Sequence, residues 1–331
     1  MAQVLILFLI KMKIISFFID YISTKELKEK FSHNNANDLN KIPEIDFIWD
    51  SRELPEIVKN QVPFDFIIAS HVLEHIPDII SLFKSLRDIL CEGGLVSLII
   101  PDKRQTFDCK KNLTNTAQVI EAHLFKRKRH STLNVLDHFF ESVLLNNDPS
   151  WSNGTSFEQL KRVFDDQSAL KAGKDSIESE KYIDIHCGIF TTSSFLQILR
   201  KISELELFDF EIVDFYSNYP GTAEFFVTLK SIPDTAFNNN ETKLEAQLKK
   251  IDFYLEKLVT EKSANDLKLD NYLLGYNIDT YNTNLNQVGE DALRVHINKL
   301  ETKLSSIKNS KYWSVTSPIR SIYKVLGKKF W

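Results

Sequence analysis

A histidine-rich motif, HVLEH at residues 71–75, is the first candidate for chemistry in this chain. Its H-x-x-E-H spacing is the signature of inverted zinc peptidases, in which both histidines bind one zinc ion from the same face of a helix. The residues before His71 are typical of a strand, however, and Pro77 follows His75 by two positions. A helix presenting both histidines is therefore not expected. We predict no metal site, and a zinc peptidase is the weakest alternative.

Polar residues also end three short runs of apolar and aromatic residues. Asp20 and Asp50 each end such a run, and Ser70 and His71 stand at the end of a third. In open α/β sheets, ligands bind beyond the carboxyl ends of the strands, where an ionised carboxylate can accept hydrogen bonds from a ribose diol. The four side chains are thus predicted to line one crevice, although each aspartate would also suit a helix or turn cap.

Apolar patterning predicts the elements that hold these residues. Strands alternate with helices across short connections, which is typical of a parallel sheet with helices on both faces, and the last two strands are expected to close it as an antiparallel hairpin. Gly93 and Gly94 are expected to end a helix before the fourth strand. The predicted strands are residues 13–20, 45–50, 64–70, 95–101, 210–216 and 223–229, and the predicted helices begin after a Ser23–Glu26 capping box and cover 78–90 and 190–200.

The C-terminal third has a different pattern. Residues 231–240 are a polar linker after an α/β domain of residues 1–230. Apolar residues then recur at four-three spacing over 244–258 and again over 293–307, which predicts a helical tail, 241–331, with a weak coiled coil. Its last part, 297–331, mixes basic and aromatic residues, as segments that touch anionic membranes do; a solvated tail is the alternative.

Composition limits the class of protein. The chain of 331 residues has 41 basic and 45 acidic side chains, so its net charge of −4 does not indicate nucleic-acid binding. Three scattered cysteines suit a reducing compartment. The apolar residues 2–10 lack the charge order and cleavage site of a signal peptide and are too few to cross a bilayer. They predict a buried strand, and the protein is expected to be cytoplasmic.

Two longer strings resemble a known family. Residues 64–78, FDFIIASHVLEHIPD, followed by 90–104, LCEGGLVSLIIPDKR, are similar to the fourth strand, its helix and the fifth strand of class I S-adenosylmethionine-dependent methyltransferases. The strings PDKRQTFD (101–108), DHFF (137–140) and HCGIFT (186–191) resemble members associated with bacterial surface polysaccharides. The tail string SKYWSVTSPIR (310–320) is similar to a segment of proteins in O-antigen and related glycan assembly.

The resemblance implies S-adenosyl-L-methionine as cofactor, with a Rossmann-like fold. Asp20 would then hold the ribose hydroxyls, Asp50 would lie near the adenine, and Ser70 and His71 would lie beside the methionine portion. It further implies an acceptor pocket, in which His71 or His138 is the candidate base. The candidate acceptor-binding residues of that pocket are Arg104 and His186.

The same resemblance also implies methyl transfer to a sugar or lipid-linked glycan, with a glycosyltransferase as possible partner. The basic and aromatic residues of 297–331 predict peripheral contact with the inner membrane face. A basic run at residues 126–130 could meet a phosphate-bearing acceptor, although most such runs are solvated helix faces.

One part of the family pattern is not found. The glycine-rich turn that should precede residues 13–20 is missing from the sequence, whose first glycine is Gly93. We therefore expect an N-terminally truncated sheet and weak or lost activity. The alternative function is a non-catalytic scaffold subunit of a glycan assembly complex.

Overall fold

A computed structural model describes residues 5–10, 15–32, 39–50, 52–151, 160–179, 182–217, 223–232 and 240–261. The strands are β1 (Leu5–Ile10), β2 (Ile15–Asp20), β3 (Phe47–Ile48), β4 (Phe64–Ser70), β5 (Leu90–Pro101), β6 (Val143–Leu145), β7 (Leu160–Arg162), β8 (Phe210–Tyr216) and β9 (Glu224–Ser231). The helices are α1 (Thr24–Phe31), α2 (Leu54–Val58), α3 (Ile79–Ile89), α4 (Thr116–Leu124), α5 (Thr132–Glu141), α6 (Asp166–Glu178), α7 (Thr192–Glu204) and α8 (Asn240–Glu261).

Seven strands form one sheet in the order β3-β2-β1-β4-β5-β9-β8, and β6 pairs with β7 in a separate ribbon. The pairs β2–β3 and β4–β5 are parallel, whereas β1 is antiparallel to both of its neighbours. The closing hairpin is confirmed, because β9 is antiparallel to β5 and to β8. The fold is α/β and Rossmann-like, as predicted. The sheet is mixed, however, which corrects the prediction of a mostly parallel sheet.

The strand predicted within residues 2–10 is part of the sheet, as β1, and no glycine-rich βα turn follows it. β1 fills the central place between β2 and β4, which the first strand holds in the common doubly-wound order. It runs against its neighbours, however, so Leu5 pairs with Ser70 at the carboxyl end of β4. The connection from β1 to β2 therefore lies at the opposite edge of the sheet, and β1 sends no βα turn toward the ligand-binding edge.

The core is made of apolar side chains from both sheet faces and the helices that cover them. Phe64, Ile67, Val96 and Phe225 are buried in the sheet. The helix α3 is capped by Asp78, whose carboxylate accepts a hydrogen bond from the Ser81 amide. The apolar residues on one face of α3 are buried in this core. Burying that apolar face, rather than helix propensity, stabilises such a helix.

Two local predictions differ from the structure. Gly93 and Gly94 lie inside β5, where Gly93 has a φ of +71°, a conformation that side chains disfavour. The predicted strand 45–50 is only the two-residue β3, although the amides of Asp46 and Trp49 on either side also donate hydrogen bonds to carbonyls of β2. The remaining predicted strands and helices are present within a few residues of their expected bounds.

The helix α8 packs onto the α/β unit. Ile251 and Tyr254 are buried against the core, and Gln247 donates hydrogen bonds to the carbonyls of Phe208 and Phe210. The apolar spacing of 244–258 thus serves intramolecular packing. The second apolar series and the basic segment 297–331 lie outside the described residues, so the coiled coil and the membrane contact stay predictions. No described helix has the length and apolar character needed to span a bilayer.

Candidate active site

The four parallel-running strands β3, β2, β4 and β5 end at one edge of the sheet, and β9 begins there. Asp20 therefore lies at the same edge as Ser70 and His71, with β1 between their strands, and Glu224 at the start of β9 contacts His71. Of these, Asp20, His71 and Glu224 are each at most 3% exposed. Such burial of ionisable groups is costly unless they are paired or bind a ligand.

Asp20 has one satisfied and one unsatisfied oxygen. Its Oδ1 accepts a hydrogen bond from the Ile22 amide at 3.2 Å, while no described residue donates one to Oδ2. Burial raises the pKa of the Asp20 carboxyl to about 7, against the opposing effects of backbone amides and Lys30. A ligand hydroxyl donated to Oδ2 would satisfy the orphaned acceptor, so the geometry fits the predicted contact with a ribose.

Asp50 lies in a different environment. Its carboxylate is about half exposed and is held by the Arg52 guanidinium, which lies 2.8 Å from it. The hydrogen bonds from Arg52 lower the pKa of Asp50. The Asp50 side chain thus already has a partner, and its contact with an adenine stays a prediction.

His71 directly follows β4 and has a backbone conformation in the left-handed region, with a φ of 51°. Its Nδ1 lies 3.1 Å from Glu74 and its Nε2 lies 3.5 Å from Glu224. Burial favours the neutral ring, but the two carboxylates outweigh it and raise the pKa of His71 to about 9. A ring protonated at neutral pH has no lone pair to accept a proton, which argues against the base role suggested by the sequence.

The second candidate base, His138, is held by Lys111. The Lys111 ammonium lies 2.9 Å from His138 Nδ1, and burial together with this charge lowers the pKa of His138 to about 2. Its ring is neutral but very weakly basic there. This too argues against a base role.

His138 and His186 nevertheless share one network, as residues of a common pocket would. Lys111 lies 2.6 Å from one oxygen of Asp108, and His186 Nδ1 lies 2.5 Å from the other. Burial would raise the pKa of Asp108, but its interactions with His186 and Lys111 outweigh burial and hold the pKa well below its usual range. An ionised Asp108 thus accepts the Nδ1 proton of His186 and fixes the ring.

Arg104 is already paired with a carboxylate. Its guanidinium makes two hydrogen bonds to Asp102, at 2.9 and 2.7 Å, and its side chain is 10% exposed. Bidentate pairs of this kind are geometrically specific. Acceptor binding by Arg104 stays a prediction, and the contacts described for it serve to anchor the loop after β5.

The sequence reasoning missed several residues of this network. Glu74 and His75 form a 3-10 turn, Leu73–His75, and are buried. Asp184 lies 3.1 Å from His75 Nδ1 and also contacts Lys30 at 3.4 Å. The only signal in the sequence was the spacing of Asp184, two residues before His186.

A basic cavity of about 270 Å³ lies beside this network. The run 126–129, KRKR, lines it together with His130 and Tyr182. The Tyr182 ring centroid is 5.5 Å from that of His130 and 5.7 Å from that of Tyr21, the residue after Asp20. The basic run thus faces a cavity close to the carboxyl edge of the sheet.

The carboxyl edge of the sheet offers a partner for the ribose of the implied cofactor, but its described residues form no glycine-rich turn for the methionine portion. Asp20 offers the acceptor that a ribose needs, whereas the place where a glycine-rich turn would approach the methionine portion is taken by the start of β1. Backbone amides of such turns bind anionic and polar ligand groups closely. Any contacts to that portion must come from other residues.

Comparison with known proteins points to the same class as the resemblance. Residues 18–143 match the family model of a methyltransferase domain, a range that contains Asp20, Asp50, Ser70 and His71. No curated protein and no solved structure matches the chain. The match covers less than half of the chain and, together with a mixed α/β sheet that contains parallel pairs, supports a methyltransferase domain of class I.

Proposed function

We propose that this protein transfers a methyl group from S-adenosylmethionine to a sugar or lipid-linked glycan intermediate of surface polysaccharide synthesis. The matched methyltransferase domain supports methyl transfer in general. The single observation that carries the cofactor assignment is the buried, unsatisfied Oδ2 of Asp20 at the carboxyl end of β2. When bound, the sulfonium cofactor supplies an already activated methyl group, so the protein must chiefly hold and align its ligands.

The glycan acceptor is supported by the strings at 101–108, 137–140 and 310–320 and by the charge of the cavity. Glycan intermediates are carried on phosphate or diphosphate groups, which basic side chains bind. Four consecutive basic residues line a cavity linked to the cofactor edge through Tyr182. The roles of Arg104, His138 and His186 in holding the acceptor belong to this proposal.

Calorimetric titration of the full chain with S-adenosylhomocysteine tests the cofactor assignment. We expect saturable heat for the unaltered protein and at least about tenfold weaker binding for Asp20→Asn, since the amide accepts hydrogen bonds less strongly than a carboxylate. Asp88→Asn is the matched control, because Asp88 is exposed near the end of α3, at the opposite edge of the sheet. Absence of heat in a protein that is folded by circular dichroism would refute the proposal.

A non-catalytic scaffold subunit is the second candidate, and the direction of β1 favours it. The antiparallel strand removes the turn that would approach the cofactor at the centre of the sheet. A scaffold would bind no S-adenosylhomocysteine, yet it would co-purify with a glycosyltransferase. Removing residues 297–331 would abolish that co-purification.

A further inference from the structure

Three side chains on two distant parts of the chain converge at the carboxyl end of β4. Glu74, His75 and His186 each present one potential ligand atom, and these atoms lie within 4.8 Å of one another. All three residues are at most 4% exposed. Two imidazoles and a carboxylate in one buried cluster form the three-protein-ligand set of many zinc centres.

The backbone is built to bring the three together. The amides of Cys187 and Gly188 donate hydrogen bonds to the Glu74 carbonyl at 2.7 and 2.9 Å. A side chain at Gly188 would meet the Phe190 ring at 2.7 Å and the Glu74 Cα at 3.2 Å, so this close approach requires glycine. His186 is thereby held directly against the turn that carries Glu74 and His75.

Polar atoms of the cluster lack hydrogen-bond partners. In the part of the chain that the structure describes, neither ring nitrogen of His75 and neither carboxylate oxygen of Glu74 has an aligned hydrogen bond. One Glu74 oxygen has the His71 ring 3.1 Å away as an ion-pair partner, which leaves the other oxygen for a ligand. Buried polar atoms without partners call for an explanation, and a bound ion is a recognised one.

A carboxylate lies beside Nδ1 of each imidazole. Asp108 is hydrogen-bonded to Nδ1 of His186 at 2.5 Å, and Asp184 lies 3.1 Å from Nδ1 of His75, close enough to accept its proton after a small rotation of the ring. Histidines that bind metals usually donate the proton of their other ring nitrogen to a carboxylate or carbonyl in this way. The arrangement leaves Nε2 as the free donor atom of each ring.

From this geometry we propose that Glu74, His75 and His186 bind a divalent transition-metal ion, with Zn²⁺ the best match to two nitrogens and one oxygen. Calcium and magnesium favour sites made of oxygen ligands. Ligand atoms of a tetrahedral zinc site lie about 3.4 Å apart, so binding draws the three side chains inward by about 1 Å. The fourth position is left for a water or a ligand oxygen.

The proposal reverses our sequence-based prediction of no metal site, and it also differs from the peptidase pattern. His71, the first histidine of the motif, contacts Glu74 and Glu224 instead of the cluster. The third ligand comes from residue 186, more than a hundred positions further along the chain. The proposal does not depend on methyl transfer, so its test can succeed or fail independently of cofactor binding.

The test is metal binding to the full chain after removal of metals with a chelator. We expect calorimetry to show one Zn²⁺ per chain and Co²⁺ to give the intense visible bands of a four-coordinate site. Glu74→Gln and His186→Asn should abolish both signals. His123→Asn is the matched control, because His123 pairs with Asp78 away from the cluster and should leave binding unchanged.

Asp184→Asn provides a second measurement if a ligand variant fails to fold. This residue contacts His75 without supplying a ligand, and outer-shell changes weaken metal binding by about 10–100-fold. Two results would overturn the proposal: folded, unaltered protein that takes up neither Zn²⁺ nor Co²⁺, or ligand variants that bind as tightly as the unaltered chain.

Discussion

The buried carboxyl of Asp20 should make the stability of the protein depend on pH above the usual range for an aspartate. Burial raises its pKa from 3.8 to about 7. Because the folded state holds this proton more tightly than the unfolded state, the contribution to stability is complete below pH 3.8 and is lost as the pH rises through 7. Over the whole range, this shift corresponds to about 4 kcal/mol in the free energy of unfolding.

The change is measurable in a narrower window. Between pH 5.5 and 8, the unfolded carboxyl is ionised throughout while the folded one loses its proton near pH 7. The free energy of unfolding of the unaltered protein should therefore fall by about 2 kcal/mol relative to Asp20→Asn, whose amide does not titrate. Urea denaturation of both proteins at pH 5.5, 7 and 8 measures this difference.

Asp50→Asn is the control for this experiment. The exposed Asp50 is paired with Arg52, and its pKa is lowered, so it stays ionised across the window in both states. The difference in the free energy of unfolding between Asp50→Asn and the unaltered protein should therefore not change with pH. The reasoning would be refuted if the stability difference between Asp20→Asn and the unaltered protein were also constant, or if the unaltered protein gained stability with pH relative to Asp20→Asn. Either result would mean that the attraction of Lys30 outweighs burial.

Three further changes test packing and pairing, each by urea denaturation. Gly188→Ala should destabilise the protein by about 1–3 kcal/mol, because the added carbon would lie 2.7 Å from the Phe190 ring. An unchanged denaturation midpoint would mean that the ring moves aside at little energetic cost. Lys111→Met should cost about 3–5 kcal/mol, because it leaves the buried Asp108 without its cation; a loss below 1 kcal/mol would show that His186 alone suffices. Ile251→Ala should lower the free energy of unfolding by about 2–5 kcal/mol, whereas Phe253→Ala, on the exposed face of α8, should lower it little. Equal effects of the two changes would contradict packing of α8 onto the core.

Local sequence patterns were enough to predict most elements of the fold. The strand at residues 64–70 and the helix after Asp78 are marked by apolar period and capping residues, which act within a few positions of each other. For the same reason Asp20, Ser70 and His71 could be placed at the ends of strands. The methyltransferase resemblance rested on these local strings as well.

Three features depended on the tertiary structure: the direction of β1, the charge state of His71, and the convergence of His186 with Glu74. Apolar residues 2–10 suit a strand of either direction, and only pairing with β2 and β4 decides between them. The pKa of His71 depends on Glu224, which lies far along the chain. The cluster around Glu74 needs the close approach of Gly188. Such effects come from burial and contacts between distant segments, which no short stretch of sequence contains.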